Sequence, residues 1–232
     1  MTSEPASQLA EGARIWVICG NACAGKTTTA CLLAQRLPPA AHVDGDEMQR
    51  LIVSGCRWPV PSDSDPGTGR PTGEAGAQYA LRIRTACLVA AAFADAGITA
   101  IVTDAIIGEG FESLTEVLGG RPVNFAVLRP PVAVLRQRGS DRLPEEAAYL
   151  ADRYGDSDHP EAAEFAGRVQ AAADGRPVNE FEEGIERGLD RLPQAGLRAD
   201  PSGIDPQGWV DLLLDRRAEA AWMVGAGTNK GH

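Results

Sequence analysis

Hydrophobic residues recur along this chain with two different periods. Ile15 to Cys19 is short, apolar and β-branched, which predicts a buried strand. From Thr28 onward Ala30, Leu33, Ala34 and Leu37 return at helical spacing, and Pro38-Pro39 closes that helix. Ala41 to Val43 predicts a second short strand, and Glu47 to Val53 a helix. Ala75 to Ala96 is apolar almost all round, which predicts a long buried helix stopped by Gly97. Ile98 to Thr103 then reads as a strand ending in Asp104, Phe111 to Leu118 as a short helix, and Val123 to Leu128 as a strand. A helix begins at Pro131 to Arg138; residues 144–190 predict several polar helices broken at Gly155, Pro160 and Gly175. Leu197 to Ala199 predicts a last edge strand, and Asp205 to Ala221 an amphipathic final helix.

Strands that alternate with helices favour a parallel sheet covered on both faces, an α/β fold. No internal repeat and no clean linker divides the chain. The expectation is one domain over residues 13–222, with a helical lid insertion at about 136–190 and disordered ends at 1–12 and 223–232. Residues 55–76 are rich in Pro, Gly, Asp and Ser. Long loops in compact domains tend to be lids or binding loops, so this one is expected to contact a substrate, with Trp58 packing on something.

The first strand and helix flank the stretch that carries chemistry. Gly20, Gly25, Lys26 and Thr27 fit G-x-x-x-x-G-K-[ST], a phosphate-binding loop, with the strand before and helix after that the motif requires. The two glycines let the backbone turn tightly and approach a ligand. The turn and the helix start direct N–H groups and partial positive charge at an anion. The expected cradle is Gly20, Asn21, Ala22, Cys23, Ala24, Gly25, Lys26, Thr27 and Thr28. Lys26 can reach the β- and γ-phosphates of a nucleotide, and the Thr27 hydroxyl can ligate Mg²⁺. The chain has only two lysines, Lys26 and Lys230, among 22 basic residues. A point-charge ammonium, where arginine is the habit, stands where a phosphate is capped.

Three further features narrow the reaction. Ile101 to Ala105 ends a strand in Asp104, which can order Mg²⁺ or its waters at the carboxyl edge of the sheet; capping a turn is its plainer role. His42 to Glu47 delivers Asp44 and Asp46 to the same edge. Asp46 is favoured as the base for an attacking hydroxyl, and capping of the next helix is the plainer role for either. Arg136, Arg138 and Arg142 follow in quick order; Arg138 and Arg142 share a helix face, and guanidinium groups over a triphosphate would neutralise the transferred phosphoryl group. Solvated surface arginines are the alternative.

Composition excludes more than it selects. Hydrophobic content of 44% and charged content of 23% are those of an ordinary globule. A net charge of −10 with no basic face argues against nucleic acid as a partner. The start lacks a basic region and an apolar core, and no apolar run approaches transmembrane length, so no signal peptide, no membrane partner and a cytoplasmic location are expected. The five cysteines form no C-x-x-C pair and are expected to be buried thiols in a reducing compartment, with Cys23 the exception in the loop. Monomer and homodimer both remain open.

Taken together, GNACAGKTT, HVDGDE, the long apolar helix with AGITAIVTDAIIG, and NFAVLRPPVAVLRQRGSDR resemble the P-loop kinases of the nucleoside-monophosphate-kinase-like group. Within it they look most like the chloramphenicol phosphotransferase-like and zeta-toxin-like small-molecule kinases. The likeness covers residues 14–142 and the terminal SGIDPQGWVDLLLDRR. It implies a three-layer P-loop NTPase fold, with a five-stranded parallel sheet in the order 2-3-1-4-5 and a helical lid. It implies ATP and Mg²⁺ on the loop, Asp46 as base, Asp104 as the Mg²⁺-organising acid, and Arg136 with Arg138 or Arg142 as lid arginines. The implied acceptor is a hydroxyl on a small molecule, an antibiotic or other secondary metabolite. Gluconate-, shikimate- or nucleoside-monophosphate-kinase-like activity is the alternative. A nucleotide-regulated binding module is the non-enzymatic rival, though no N-K-x-D guanine-reading motif occurs.

Overall fold

The computed structural model describes residues 12–59, 63–155, 159–174 and 182–225. The expected disorder at 1–11 and 226–232 and the break at Gly175 lie outside the described residues. The elements run β1 (Ile15–Gly20), α1 (Lys26–Arg36), β2 (Ala40–Asp44), α2 (Gly45–Arg50), α3 (Gly73–Asp95), β3 (Thr99–Asp104), α4 (Glu109–Leu118) and β4 (Pro122–Leu128). They continue with α5 (Val132–Tyr154), α6 (Pro160–Ala173), α7 (Glu182–Asp190), β5 (Leu197–Ala199), α8 (Pro206–Asp215), α9 (Arg217–Ala220) and β6 (Ala221–Met223).

The sheet order is β2-β3-β1-β4-β5, all parallel, the order that the resemblance implies. Every residue of β1 is buried. A central parallel strand is covered on both faces and reads as a continuous apolar run for that reason. Alternate residues serve opposite faces. Ile15, Val17 and Cys19 join α3, α4 and α7 in one core, while Trp16 and Ile18 join α1, Leu135 of α5 and α8 in the other.

Four readings change. A sixth strand, β6, pairs antiparallel with β4, Val123 opposite Trp222, so the ordered chain passes residue 222. Trp222 stacks on Phe111 at 5.7 Å, and that contact holds the strand in place. The final amphipathic segment is two helices, α8 and α9, parted at Arg216. Helix α3 is not buried all round: Ala75, Tyr79, Ile83, Ala86 and Ala90 make one inward stripe, while Leu81 and Leu88 are each 51% exposed. Helix α5 continues through Pro144 to Tyr154. Its carbonyl four residues back belongs to exposed Ser140, where water can take the freed acceptor. Gly155, with φ 57°, ends that helix, and Pro160 opens the next.

The cysteines divide. All five are free thiols; Cys19, Cys56 and Cys87 are buried, Cys23 is half-buried, and Cys31 is exposed. Helix α1 buries Thr29, Ala30 and Leu33, which turns Cys31 outward and corrects the expectation of burial there.

Candidate active site

Strand β1 ends in Gly20 at the carboxyl edge of the sheet. A Cβ at Gly20 would meet the Leu128 carbonyl oxygen at 2.8 Å, so the chain can turn there only as glycine. Gly25, φ 99°, is the N-cap of α1, and Cys23, φ 60°, is the one non-glycine residue with positive φ among the described residues. The loop is pinned from within. Asn21 is fully buried; its Nδ2 donates to the Glu182 carbonyl at 2.9 Å and to Glu186 Oε1 at 3.1 Å, and its Oδ1 accepts from Ala22 N at 2.9 Å. Lys26 Nζ donates across the loop to the Asn21 carbonyl at 2.7 Å. Ala22, Cys23, Lys26 and Thr27 face a cavity of about 510 Å³, whereas Thr28 is exposed outside its lining.

The two strand-end aspartates separate by role. Asp44 Oδ1 accepts from Asp46 N at 2.9 Å and caps α2. Burial raises the Asp44 carboxyl above its ordinary range, with the neighbouring Asp46 adding to that. Asp46 stands on the first turn of α2 and lines the cavity. Gly45 between them has a packing reason: a Cβ there would overlap the Asp104 carboxylate of β3.

Asp104 is 4% exposed. Its Oδ1 accepts from Arg82 Nη2 at 2.6 Å and from Ala105 N at 2.7 Å. Its Oδ2 is buried and has no hydrogen-bond partner among the described residues, although Asp104 lines the cavity. Arg82, on the inward stripe of α3, reaches the other way through Nη1 to Asp46 Oδ1 at 3.2 Å. Burial works against its charge, but the carboxylates of Asp104 and Asp46 outweigh it and hold the guanidinium above its ordinary range. Burial likewise raises the Asp104 carboxyl, with the Arg82 charge opposing. One buried cation thus ties the DGD turn to the end of β3. Arg82 was not among the residues singled out from sequence, yet a signal was present: an arginine on the apolar stripe of a long helix has to be paired.

The far wall of the cavity comes from α2, the loop after it and the insertion. Arg50 of α2 is bound to Glu161 of α6 by two hydrogen bonds and lies between the rings of Trp58 and Tyr149, at 5.6 and 5.4 Å from their centroids. Arg168 of α6 pairs with Glu146 and Glu164, whose carboxyl is pushed up to about 7 by burial with Arg168 opposing. The Pro/Gly-rich loop reaches the cavity through Trp58, Pro59, Ser64, Gly69 and Pro71; residues 60–62 lie outside the described residues. It is clamped by α7, where Arg187 donates to the carbonyls of Gly67 at 3.0 Å and Pro66 at 2.7 Å.

The three lid arginines part company. Arg142 lines the cavity, with Nη1 3.9 Å from Cys23 Sγ, and Arg138 Nη1 donates to the Cys23 carbonyl at 3.4 Å. These two share the face that covers the phosphate loop. Arg136 does not line the cavity; it is held by Glu182 and Glu183 of α7, each at 3.0 Å.

No protein-family model matches the chain, and no curated protein matches it. Solved structures do. An unliganded sugar kinase from Janibacter sp. HTCC2649 is 19% identical, with a TM-score of 0.54 over 90% of this chain and 96% of that one. The Mycobacterium tuberculosis APS kinase CysC, solved with AMPPNP and APS, is 17% identical, with a TM-score of 0.53 over 88% and 96%. The Deinococcus radiodurans tunicamycin resistance protein is 19% identical, with a TM-score of 0.50 over 88% and 95%. The fold is therefore that of the P-loop small-molecule kinases. Among the described residues no helix is long and apolar enough to cross a membrane.

Proposed function

We propose that this chain is an ATP-dependent phosphotransferase that moves the γ-phosphate to a hydroxyl of a small molecule, an antibiotic or other secondary metabolite. The observation that carries the reading is the opening of the Lys26 loop and the Asp46 carboxylate onto one cavity. A triphosphate on the loop and a hydroxyl at Asp46 would then share one space, within reach of each other. Lys26, Arg138 and Arg142 supply the positive charge on the nucleotide side. Asp46 accepts the proton of the attacking hydroxyl, which supplies on the order of 10²–10⁴ in rate. Arg82 holds the Asp46 carboxylate in place.

The residues present fit Mg²⁺. Asp104, whose buried Oδ2 has no hydrogen-bond partner among the described residues, and Thr27 both line the cavity, and their carboxylate and hydroxyl oxygens are hard donors of the kind Mg²⁺ takes. Mg²⁺ keeps most of its shell as water and phosphate oxygen, so one or two protein groups are enough to hold it. When bound, it neutralises phosphate charge.

The test incubates the chain with γ-labelled ATP and Mg²⁺ against fractionated small-molecule extracts and follows the label. One acceptor is expected to gain a phosphoryl group. Lys26→Ala is expected to abolish transfer. Asp46→Asn is expected to keep nucleotide binding and lose about 10²–10⁴ in turnover. Full activity in Asp46→Asn removes that residue from its role. Slow hydrolysis with no labelled acceptor in any extract favours a nucleotide-regulated binding module.

A further inference from the structure

The cavity's own charges narrow the acceptor, on the reading that the chain is a kinase. An acidic acceptor needs a cation on the far wall, and among the described residues each one there is already committed. Arg50 donates through Nε to Glu161 Oε2 at 3.1 Å and through Nη1 to Glu47 Oε1 at 2.6 Å, with Nη2 closing a further bond to Glu161. Arg168 is held by Glu146 and Glu164. These guanidinium side chains are 13% and 15% exposed, so a substrate anion would first have to expel a carboxylate from a part-buried pair. At the reacting end Arg82 is shared between Asp46 and Asp104. Of the described cations that line the cavity Lys26 and Arg142 remain, and both lie against the phosphate loop.

Carboxylates, by contrast, are in excess. Asp44 and Glu145 line the cavity beyond those engaged by the arginines. The wall also shows what it accepts. Trp58 and Tyr149 already hold a cation, the Arg50 guanidinium, between their faces, with Glu47 and Glu161 beside it. Aromatic faces backed by carboxylates receive cations and repel anions.

We infer that the acceptor is a hydroxyl compound bearing a protonated amine, of the amino-sugar or aminocyclitol class, and that sugar acids, hydroxy acids and phosphate esters are rejected.

The full chain is first titrated calorimetrically with Mg·ATP; failure at that step removes the kinase reading itself and is told apart from any failure in the acceptor titrations. Loaded with Mg²⁺ and a non-hydrolysable ATP analogue, the chain is then probed by saturation-transfer NMR. One series is glucosamine, N-acetylglucosamine and glucuronate; the other is 2-deoxystreptamine, myo-inositol and shikimate. In each series the amine is expected to bind at least about tenfold more tightly than its neutral counterpart, and the acid most weakly. The variant Glu145→Gln, with its fold checked by circular dichroism, is expected to narrow the gap by about threefold or more. Equal binding within a series, preference for the acid, no binding by either amine, or a gap unmoved in Glu145→Gln overturns the inference.

Discussion

Replacing Arg82 with methionine keeps the length of the side chain on α3 and removes its charge. Asp104 then lies in the core at 4% exposure, with the Ala105 amide but no cation. Breaking a buried pair by removing one partner costs about 3–5 kcal/mol, because the other charge stays behind uncompensated. That is a large share of a fold stability of about 5–15 kcal/mol. At about 2–4 °C per kcal/mol for a chain of this size, the melting temperature falls by about 6–20 °C. The loss has a pH signature. Burial holds the Asp104 carboxyl above its ordinary range even with Arg82 opposing; without Arg82 it rises further. A group whose folded-state pKa is raised contributes its full stability below the unfolded-state pKa, and that contribution is lost as pH rises through the folded-state value. The deficit of Arg82→Met against the parent therefore shrinks on acidification. Adding Asp104→Asn removes the stranded charge and recovers most of the loss. Urea denaturation of the parent, both single variants and the double variant at about pH 5 and about pH 8 measures each of these quantities. A cost below about 1 kcal/mol, as for an exposed pair, a deficit independent of pH, or single-variant costs that simply add would refute the reasoning.

The other predictions test neighbouring contacts. Asp44→Ala removes the cap of α2 and is expected to cost about 1 kcal/mol in denaturant titration, a loss that Asp46→Asn should not show. Gly45→Ala drives a Cβ into the Asp104 carboxylate, so it is expected to abolish transfer while far-UV circular dichroism still reports a folded chain; retained turnover would unseat Gly45. Glu164, pushed up to about 7 by burial, contributes stability in full below its ordinary value of 4.5 and loses it as pH rises through about 7. Glu164→Gln should therefore gain on the parent above neutral pH, by at most about 3 kcal/mol, with the gain fading towards acid; a gain that grew towards acid would have the wrong sign.

The chain alone determined the sheet and the loop. Central parallel strands are buried on both faces and are apolar almost throughout, so Ile15 to Cys19 and Val123 to Leu128, with Asn124 its one buried polar residue, were legible without partners. The phosphate loop was legible because its geometry demands glycine at fixed spacing: at Gly20 a Cβ would strike the Leu128 backbone, and Gly25 has positive φ. Asp44 and Asp46 were both visible, but which of them capped α2 depended on a single hydrogen bond. Only the tertiary structure brought Arg82 between Asp46 and Asp104, tied Arg136 to α7 rather than the cavity, and set Glu161 and Glu146 against Arg50 and Arg168. Those partners lie from 22 to 111 residues apart in sequence. A periodic pattern reports which face of an element is buried; it does not carry the identity of what is buried against it, and charge pairing across the cavity is decided by that identity.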